Sequence, residues 1–333
     1  MSLRFPKSLP LANLPTPIQR LNHFSKAWGG PEIYIKRDDL TGCAVSGNKI
    51  RKLAFVAADA KAKGADTLIT CGGIQSNHAR ATALVAAMLG MHSVLVLRGQ
   101  EPQTVQGNLL LDKLAGADIQ WVSEEEYEIV NERMVDIRRS LERKGHRPYV
   151  IPEGASYDLG YWGYVHAAQE IAGQLDIMQL TMDYIVTATG SGGTLGGLIL
   201  GTHLLGLNTM PVGINVCRTA EHFQSRIHGV LHGMIHDRHW PIDIGREDIT
   251  VIDGYVGKGY AQASEEVLWI IAEVARMEGI VLDPVYTGKA MFAIQEEIRA
   301  GRFKKGQKIL FIHTGGIFGL FPQARELAAV VAG

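Results

Sequence analysis

The stretch Thr67-Leu68-Ile69-Thr70-Cys71-Gly72-Gly73-Ile74-Gln75-Ser76-Asn77-His78 decides the fold class. Its first four residues are apolar or β-branched and predict a strand, and a glycine-rich turn follows. The apolar spacing over 77–89 predicts a helix that Gly90 ends. Since 93–97 is again an apolar, strand-like run, the segment 67–97 predicts one βαβ unit.

The same alternation extends in both directions from this unit. Further strands are predicted at 119–122, 149–151, 184–188, 212–216 and 309–312, and helices near 109–114 and 124–144. Several strands are apolar at successive positions, as in a parallel sheet that is covered on both faces. The chain therefore predicts an α/β fold with two open, mostly parallel twisted sheets flanked by helices. No low-complexity linker separates the two series, which favours packed lobes.

Composition excludes several classes of function. The 333 residues provide room for about two domains. The net charge of −1 gives no preference for nucleic acid or an anionic membrane. Three cysteines without a CxxC pair predict no disulfide framework, so a cytoplasmic protein is expected. No secretory signal is expected, because the N-terminus has neither an apolar core region nor a small-residue cleavage site. No transmembrane helix is expected either, because no apolar run reaches about 18 residues.

A first motif, Ser46-Gly47-Asn48-Lys49-Ile50-Arg51-Lys52-Leu53, resembles a helix start. Ser46 or Asn48 is predicted to cap the helix, which places Lys49 in its first turn. The positive end of the helix would disfavour a protonated amine there and favour the neutral nucleophile. The alternative is a solvated lysine among three basic residues.

A second motif is the turn before the predicted helix at 77–89. Open α/β sheets bind ligands at this edge, where the N–H groups of a helix start can hold a carboxylate together with the side chains of Gln75, Ser76 and Asn77. The alternative is an ordinary helix cap. His78 has no partner at metal-ligand spacing, so no metal site is predicted.

A third motif, Thr189-Gly190-Ser191-Gly192-Gly193-Thr194, also follows a strand and opens a helix. Glycines expose several N–H groups to one anion and Ser191 and Thr194 add hydroxyls, which favours phosphate binding. Gly190, Gly192 and Gly196 are spaced one residue wider than a dinucleotide fingerprint, and Arg218 follows the next strand. An NADP-dependent oxidoreductase is therefore an alternative.

Two further turns complete a possible site. In Leu282-Asp283-Pro284-Val285-Tyr286-Thr287, Tyr286 is a candidate acid or orienting donor. In Phe311-Ile312-His313-Thr314-Gly315-Gly316, Thr314 follows a strand and is a candidate ligand contact. An amine, an anion cradle and polar groups beside a ring are the set that pyridoxal 5′-phosphate (PLP) requires.

On these motifs the sequence resembles the D-cysteine desulfhydrase and ACC (1-aminocyclopropane-1-carboxylate) deaminase family of fold-type II PLP enzymes. The resemblance covers nearly the whole chain and includes Leu14-Pro15-Thr16-Pro17-Ile18 and Tyr34-Ile35-Lys36-Arg37-Asp38-Asp39-Leu40. It implies a large PLP-binding domain, 1–51 plus 164–333, a small inserted α/β domain, 52–163, and a site between them. It also implies a homodimer and a small amino-acid substrate.

The resemblance implies a role for each candidate residue. Lys49 forms the Schiff base with PLP, and Lys52 does not. Asn77 bonds the phenolic oxygen of the cofactor, and Thr287 and Thr314 lie near the ring nitrogen. The phosphate is held by Gly190, Ser191, Gly192, Gly193 and Thr194. Catalysis involves Lys49, Ser76 and Tyr286, and the substrate is bound by Gln75, Ser76, Asn77, His78 and Tyr286.

One position favours a reaction within the family. Similar ACC deaminases have a Tyr-Glu pair where this chain has Tyr286-Thr287. A glutamate would keep the pyridine nitrogen protonated and the ring a stronger electron sink, whereas a threonine hydroxyl is neutral. The resemblance therefore predicts a carbon–sulfur lyase that eliminates a β-substituent, with D-cysteine as first substrate. L-cysteate sulfo-lyase and ACC deaminase are the alternatives within the family, and a non-catalytic binding protein is an alternative outside it.

Overall fold

The computed structural model describes residues 3–257, 259 and 261–332. The strands are β1 (Ile18–Arg20), β2 (Glu32–Lys36), β3 (Thr67–Gly73), β4 (His92–Arg98), β5 (Asp118–Val122), β6 (Pro148–Val150), β7 (Tyr184–Thr189), β8 (Met210–Asn215), β9 (Thr250–Ile252) and β10 (Lys308–Ile312). The helices are α1 (Asn22–Trp28), α2 (Asn48–Ala62), α3 (Asn77–Met88), α4 (Asn108–Leu114), α5 (Glu124–Glu128), α6 (Val130–Arg143), α7 (Asp158–Ile177), α8 (Gly193–Leu205), α9 (Ala220–Arg238), α10 (Glu265–Glu278), α11 (Thr287–Arg299) and α12 (Ala324–Ala332).

The strands form two sheets. The larger has the order β1-β2-β10-β7-β8-β9, and the smaller has the order β5-β4-β3-β6. Every pairing is parallel except that of β1 with β2. Helices flank both sheets, and buried apolar side chains cover the central strands. The predicted α/β class with two mostly parallel sheets is confirmed.

The smaller sheet is built from one continuous part of the chain, which lies inside the predicted insertion. The predicted domain boundaries themselves, 51/52 and 163/164, fall within α2 and α7. The placement of those boundaries stays a prediction.

The predicted long helix at 124–144 is wrong in one respect, because it is two helices. The backbone leaves helical geometry at Ile129, where φ is −108° and ψ is 24°. The short helix α5 carries Tyr127 and Glu128 to the cavity described below, while α6 buries Met134 and Ile137 against the smaller sheet.

Buried charges join α2 to the larger sheet and to α7. The Arg51 guanidinium donates to Asp38 Oδ1 at 2.7 Å and to Glu170 Oε2 at 2.9 Å. Lys36 on β2 also pairs with Glu170. Because two cations and two anions are enclosed together, each buried charge has a partner, which limits the cost of desolvation. This network fixes the start of α2.

No helix in the described part of the chain has the length and hydropathy needed to cross a membrane.

Candidate functional site

A cavity of about 250 Å³ is lined by residues that follow strands of both sheets. Parallel strands in open α/β sheets present their carboxyl ends to ligands at such a position. Ten of the predicted site residues line it: Lys49, Ser76, Asn77, His78, Gly190, Ser191, Gly192, Thr194, Tyr286 and Thr314. Gln75, Gly193 and Thr287 are not among the lining residues.

The lysine helix α2 begins differently from the prediction. Neither Ser46 nor Asn48 caps it; the cap residue is Gly47, whose φ of 106° favours glycine. A Cβ at Gly47 would lie 2.5 Å from the carbonyl oxygen of Thr314, so only glycine allows this approach. The side chain of Asn48 instead lines the cavity and donates from Nδ2 to Thr194 Oγ1 at 2.9 Å. The lysine motif and the predicted phosphate loop are therefore directly bonded.

Lys49 is the second residue of α2 and lines the cavity. The residue is partly exposed and belongs to the cavity wall. Burial lowers the pKa of Lys49 to about 8, and the negative charge of Glu153 opposes that decrease. An amine with this pKa is neutral in roughly one molecule in ten at pH 7, a far larger fraction than for an ordinary lysine, and the neutral amine is the nucleophile.

The helix α3 presents two polar side chains to the cavity. Ser76 caps the helix, and its Oγ accepts from the backbone N–H of Ala79 at 3.1 Å, which leaves the hydroxyl hydrogen available. Asn77 follows, with its Oδ1 accepting from Asn108 Nδ2 at 3.1 Å. Gln75 points elsewhere, since its Oε1 accepts from the backbone N–H of Asn108 at 2.8 Å. The structure gives Gln75 a role in holding α4, and no cavity contact.

His78 lines the cavity as a neutral imidazole. Burial, with the charges of Lys49 and Lys52, lowers its pKa well below the usual value. Its Nε2 is 2.9 Å from Thr70 Oγ1, whose hydrogen is donated to Ile151 O, so Nε2 carries the imidazole proton. Among the residues described, no group of three or more His, Cys, Asp or Glu side chains is arranged to hold a metal ion.

The glycine loop before α8 has the features of an anion site. Gly192 has a φ of 86° and precedes the first helical residue, Gly193, so backbone N–H groups converge at the helix start. Ser156 organises the loop, since it donates to Ser191 Oγ at 2.8 Å and accepts from the N–H of Gly193 at 3.2 Å.

Lys52 supplies a second reason to place an anion at this loop. A Cβ on Gly193 would lie 2.7 Å from Lys52 Nζ, so the missing side chain lets the ammonium reach the loop. Lys52 is fully buried, and its described hydrogen bond is to Gly154 O at 3.2 Å. Burial and the charges of Lys49 and Arg226 lower its pKa well below the usual value. A phosphate bound at this loop would oppose both effects and favour the charged form of Lys52 beside it.

Tyr286 and Thr287 are placed by one carboxylate. Buried Asp283 accepts from the backbone N–H groups of Tyr286 at 2.9 Å and Thr287 at 2.8 Å. The Thr287 hydroxyl donates to Asp283 Oδ1 at 2.7 Å and accepts from the Asp283 N–H at 2.7 Å. Thr287 is therefore engaged away from the cavity, whereas the Tyr286 ring lines it. The predicted contact between Thr287 and the ring nitrogen of the cofactor is therefore not supported by this structure, because the hydroxyl is bonded to Asp283.

Sequence reasoning missed several residues of the cavity. Glu153 lines it and accepts from Tyr127 Oη at 2.7 Å. Arg98 lines it as well, with its guanidinium 5.0 Å from the centre of the Tyr127 ring. Arg218, which the sequence offered only as a contact for an NADP phosphate, also lines it. Cys217 completes this side. Its place in the sequence could have identified Glu153, because it follows the predicted strand at 149–151 just as the other site motifs follow their predicted strands.

Comparison with known proteins identifies the family to which the chain belongs. The family model described as "Pyridoxal-phosphate dependent enzyme" matches residues 9–315. A "Putative 1-aminocyclopropane-1-carboxylate deaminase" of Thermotoga maritima is 46% identical over 96% of this chain and 99% of its own length. A "D-cysteine desulfhydrase" of Yersinia enterocolitica is 42% identical over 96% of each chain. The crystal structure of an "ACC deaminase homologue" superposes with a TM-score of 0.89 at 41% identity, covering 98% of this chain and 97% of that one.

These likenesses decide between the alternatives left open by the glycine motifs. The nicotinamide interpretation of Gly190, Gly192 and Gly196 is wrong, since the matched family uses PLP. The predicted fold type is confirmed by the solved relatives. The chain belongs to the family of pyridoxal-phosphate-dependent enzymes, and within it to the lyases that include D-cysteine desulfhydrases and ACC deaminases.

Proposed function

We propose that this PLP-dependent lyase converts D-cysteine and water to pyruvate, ammonia and hydrogen sulfide. The observation that carries the choice of substrate is the neutral Thr287, which replaces the glutamate expected of a cyclopropane-opening enzyme. Its hydroxyl is also engaged by Asp283. A relative named D-cysteine desulfhydrase, 42% identical, supports the same reaction.

The residues present fit PLP. We assign covalent attachment to Lys49, whose amine has a pKa of about 8 because it is buried. The phosphate would be held by the start of α8 and the loop from Gly190 to Thr194, with Lys52 as its cation. Asn77 would meet the phenolic oxygen. When bound, PLP withdraws electrons from the α-carbon of an amino acid and so weakens its C–H bond.

Residues of the protein bind the substrate and move its α-proton. Ser76 and the N–H groups at the start of α3 hold the substrate carboxylate, because a helix start favours anions. The Lys49 amine, next to the α-carbon of the bound substrate, would accept the α-proton. Tyr286 covers the substrate from the larger-sheet side. Loss of the α-proton and of the β-sulfur as hydrosulfide leaves an enamine that water hydrolyses to pyruvate and ammonia.

The test is a comparison of substrates with the purified protein. D-cysteine, L-cysteine, L-cysteate and ACC are supplied separately, and sulfide, sulfite and keto-acid release are measured beside the visible spectrum. We expect a visible cofactor band, with sulfide and pyruvate from D-cysteine. If only ACC released a keto acid, the substrate would be ACC, as the name of the Thermotoga maritima relative states for that protein. Sulfite from L-cysteate alone would make the protein a sulfo-lyase.

The role of Lys49 is tested separately. Lys49→Ala should reduce turnover by more than about 10³-fold and abolish the mass increase that borohydride reduction of the holoprotein produces. Lys63→Ala is the matched control, since Lys63 lies at the exposed end of α2 and pairs with Asp59 there. A mass increase that persists in Lys49→Ala would remove the assignment.

We also propose that the protein is a cytoplasmic homodimer. The three cysteines Cys43, Cys71 and Cys217 are free thiols, as expected in a reducing compartment. An exposed apolar row supports self-association: it consists of Leu110, Leu114, Ile317 and Phe321. Its two halves are adjacent, because a Cβ at Gly107 would lie 2.6 Å from the Phe318 carbonyl oxygen.

A further inference from the structure

We infer that Arg80 and Asn108 are positioning residues of the cofactor site, which turn the side-chain amide of Asn77 so that its NH₂ group faces the cavity. Neither residue lines the cavity. The inference rests on the proposed function, because it concerns the group that Asn77 would contact.

The orientation of Asn77 follows from a chain of hydrogen bonds with one consistent solution. Arg80 Nη1 is 3.0 Å from Asn108 Oδ1, and a guanidinium only donates, so this atom of Asn108 is the amide oxygen. The other end of Asn108 is therefore its NH₂ group, which lies 2.9 Å from Gln75 O and 3.1 Å from Asn77 Oδ1. Two donors cannot face each other, so Asn77 presents its oxygen to Asn108.

A second donor supports the same orientation of Asn77. Arg80 Nη1 also approaches Asn77 Oδ1, at 3.5 Å. With its oxygen directed toward Asn108 and Arg80, the amide has its NH₂ group on the opposite side. Asn77 lines the cavity, so that group can donate to an anionic oxygen there, such as the phenolate of PLP.

Arg80 is held rigidly enough to perform this task. Its side chain is fully buried, Nη2 donates to Ser46 O at 2.7 Å, and the guanidinium lies 4.9 Å from the centre of the Phe318 ring. Burial lowers the pKa of Arg80 to about 10, and the charge of buried Asp112 opposes that decrease. The guanidinium is therefore cationic at neutral pH and joins the segments before α2, in α3, in α4 and near 318.

The decisive variant is Asn108→Asp in the full-length holoprotein. It has the same shape and keeps an acceptor for Arg80, but it replaces the NH₂ donor by a carboxylate oxygen that faces Asn77 Oδ1. Asn77 should then lose its preference for presenting NH₂ to the cavity. Without that donor the phenolate charge is less stable, so the pH at which the visible cofactor band titrates should rise.

We expect the titration midpoint of Asn108→Asp to rise by about one pH unit and PLP to dissociate roughly tenfold more readily. Gln106→Glu is the matched control for added charge, because residue 106 is two positions before Asn108. Gln106 bonds Gln75 through its backbone carbonyl oxygen, which the substitution does not change. Arg80→Lys keeps the positive charge but loses the planar guanidinium that donates to both Asn108 and Ser46 O. This variant should shift the midpoint in the same direction.

A double variant separates positioning from a direct charge effect. In an Asn77→Ala background, Asn108→Asp should shift the midpoint no further, because its effect acts through the Asn77 amide. An unchanged midpoint in Asn108→Asp, or an equal shift with and without Asn77, would overturn the inference. A wild-type protein without any visible band after addition of PLP would instead overturn the proposed function.

Discussion

Glu153 is the residue whose charge acts most strongly to keep Lys49 protonated. Burial lowers the pKa of Lys49 to about 8, and the charge of Glu153 is the largest of the effects that raise it. The Glu153 carboxylate is fixed by the hydrogen bond from Tyr127 Oη at 2.7 Å. The fraction of neutral amine, and with it the rate of reaction with an aldehyde, should therefore depend on this carboxylate.

Glu153→Gln should make the Lys49 amine more reactive below pH 8. Removal of the negative charge lowers the pKa of Lys49 further, so the apoprotein should attach PLP severalfold faster at pH 7, with the midpoint of the pH–rate profile at lower pH. The measurement is the rate at which the visible band appears after mixing with PLP. Tyr127→Phe keeps the charge and is the control, with a midpoint near that of the wild type. Identical profiles for Glu153→Gln and wild type would contradict the electrostatic argument.

At the residue scale, the sequence indicates which turns carry the site and does not indicate where each side chain points. Lys49, Ser76 and Asn77 line the cavity as predicted. Gln75 and Thr287 do not, because local partners, Asn108 and Asp283, satisfy them. Lys52 reaches the anion loop only because Gly193, far away in sequence, has no side chain. The contacts of Gln75 and Lys52 depend on residues distant in sequence, whereas Asp283 lies in the same motif as Thr287 and only the folded turn shows that the two are bonded.

The helices α2, α7 and α8 pack through close backbone approaches. A Cβ at Gly163 on α7 would lie 2.7 Å from the carbonyl oxygen of Arg51 on α2. A Cβ at Gly197 on α8 would lie 2.5 Å from the carbonyl oxygen of Tyr161. Both neighbours are backbone atoms, which cannot move aside as a flexible side chain can. These glycines therefore set the distance between the lysine helix and the rest of the molecule.

Gly163→Ala should separate α7 from α2 and lower the free energy of unfolding by about 1–3 kcal/mol. It should also weaken PLP binding, because Arg51 and Lys52 share the first turns of α2 with Lys49. Gly173→Ala is a matched control on the same helix, with no atom within 4 Å of the added methyl group. This control should gain about 0.5–1 kcal/mol, since alanine favours a helix. Urea denaturation measures both, and equal stabilities would disprove the steric argument.

At the element scale, hydrophobic periodicity is sufficient for most strands and helices. The predicted strand at 309–312 and helix at 109–114 match β10 and α4 closely. The two helices α5 and α6 were predicted as one, because the apolar spacing continues across Ile129 while the backbone does not. The cap of α2 was assigned wrongly since Gly47 is selected by its contact with Thr314, a tertiary constraint.

At the scale of the whole molecule, the exposed apolar row is the proposed dimer surface. Leu110 and Leu114 are one turn apart on α4, and Ile317 and Phe321 lie beside the start of that helix. Exposed apolar side chains on neighbouring segments are a common feature of contacts between proteins. A two-fold dimer would bury the same row on both chains.

Leu114→Glu should convert the dimer to monomers, because a two-fold contact would enclose two added carboxylates. Sedimentation equilibrium should show the dissociation constant increasing at least about tenfold, since each buried charge costs more than about 1.4 kcal/mol. Ile177→Glu is the control: Ile177 is 84% exposed, compared with 72% for Leu114, and lies at the end of α7. A monomeric wild type would disprove the proposed assembly.

The two-sheet architecture was predictable because the strands β3 to β8 and β10 each carry their own apolar pattern. The outer strands β1 and β9, which are three residues long, and β2 were not predicted. The relation between the sheets was not predictable, since it depends on close contacts such as Gly163 with Arg51 and on the buried charges around Glu170. Polar residues at buried positions, such as Arg51 and Asp38, resemble surface residues in a sequence. Only their neighbours in space identify them as internal.

The contact between Gly47 and Thr314 has a consequence for the synthesis of the protein. The backbone N–H of Asn48, next to the reactive lysine, donates to Thr314 O at 3.1 Å, so a segment made early is completed by one made much later in translation. A nascent chain still lacking β10 and Thr314 has no acceptor for this N–H group. Cofactor capture should therefore wait until this segment has been synthesised, and polypeptides truncated before β10 should remain colourless in the cell.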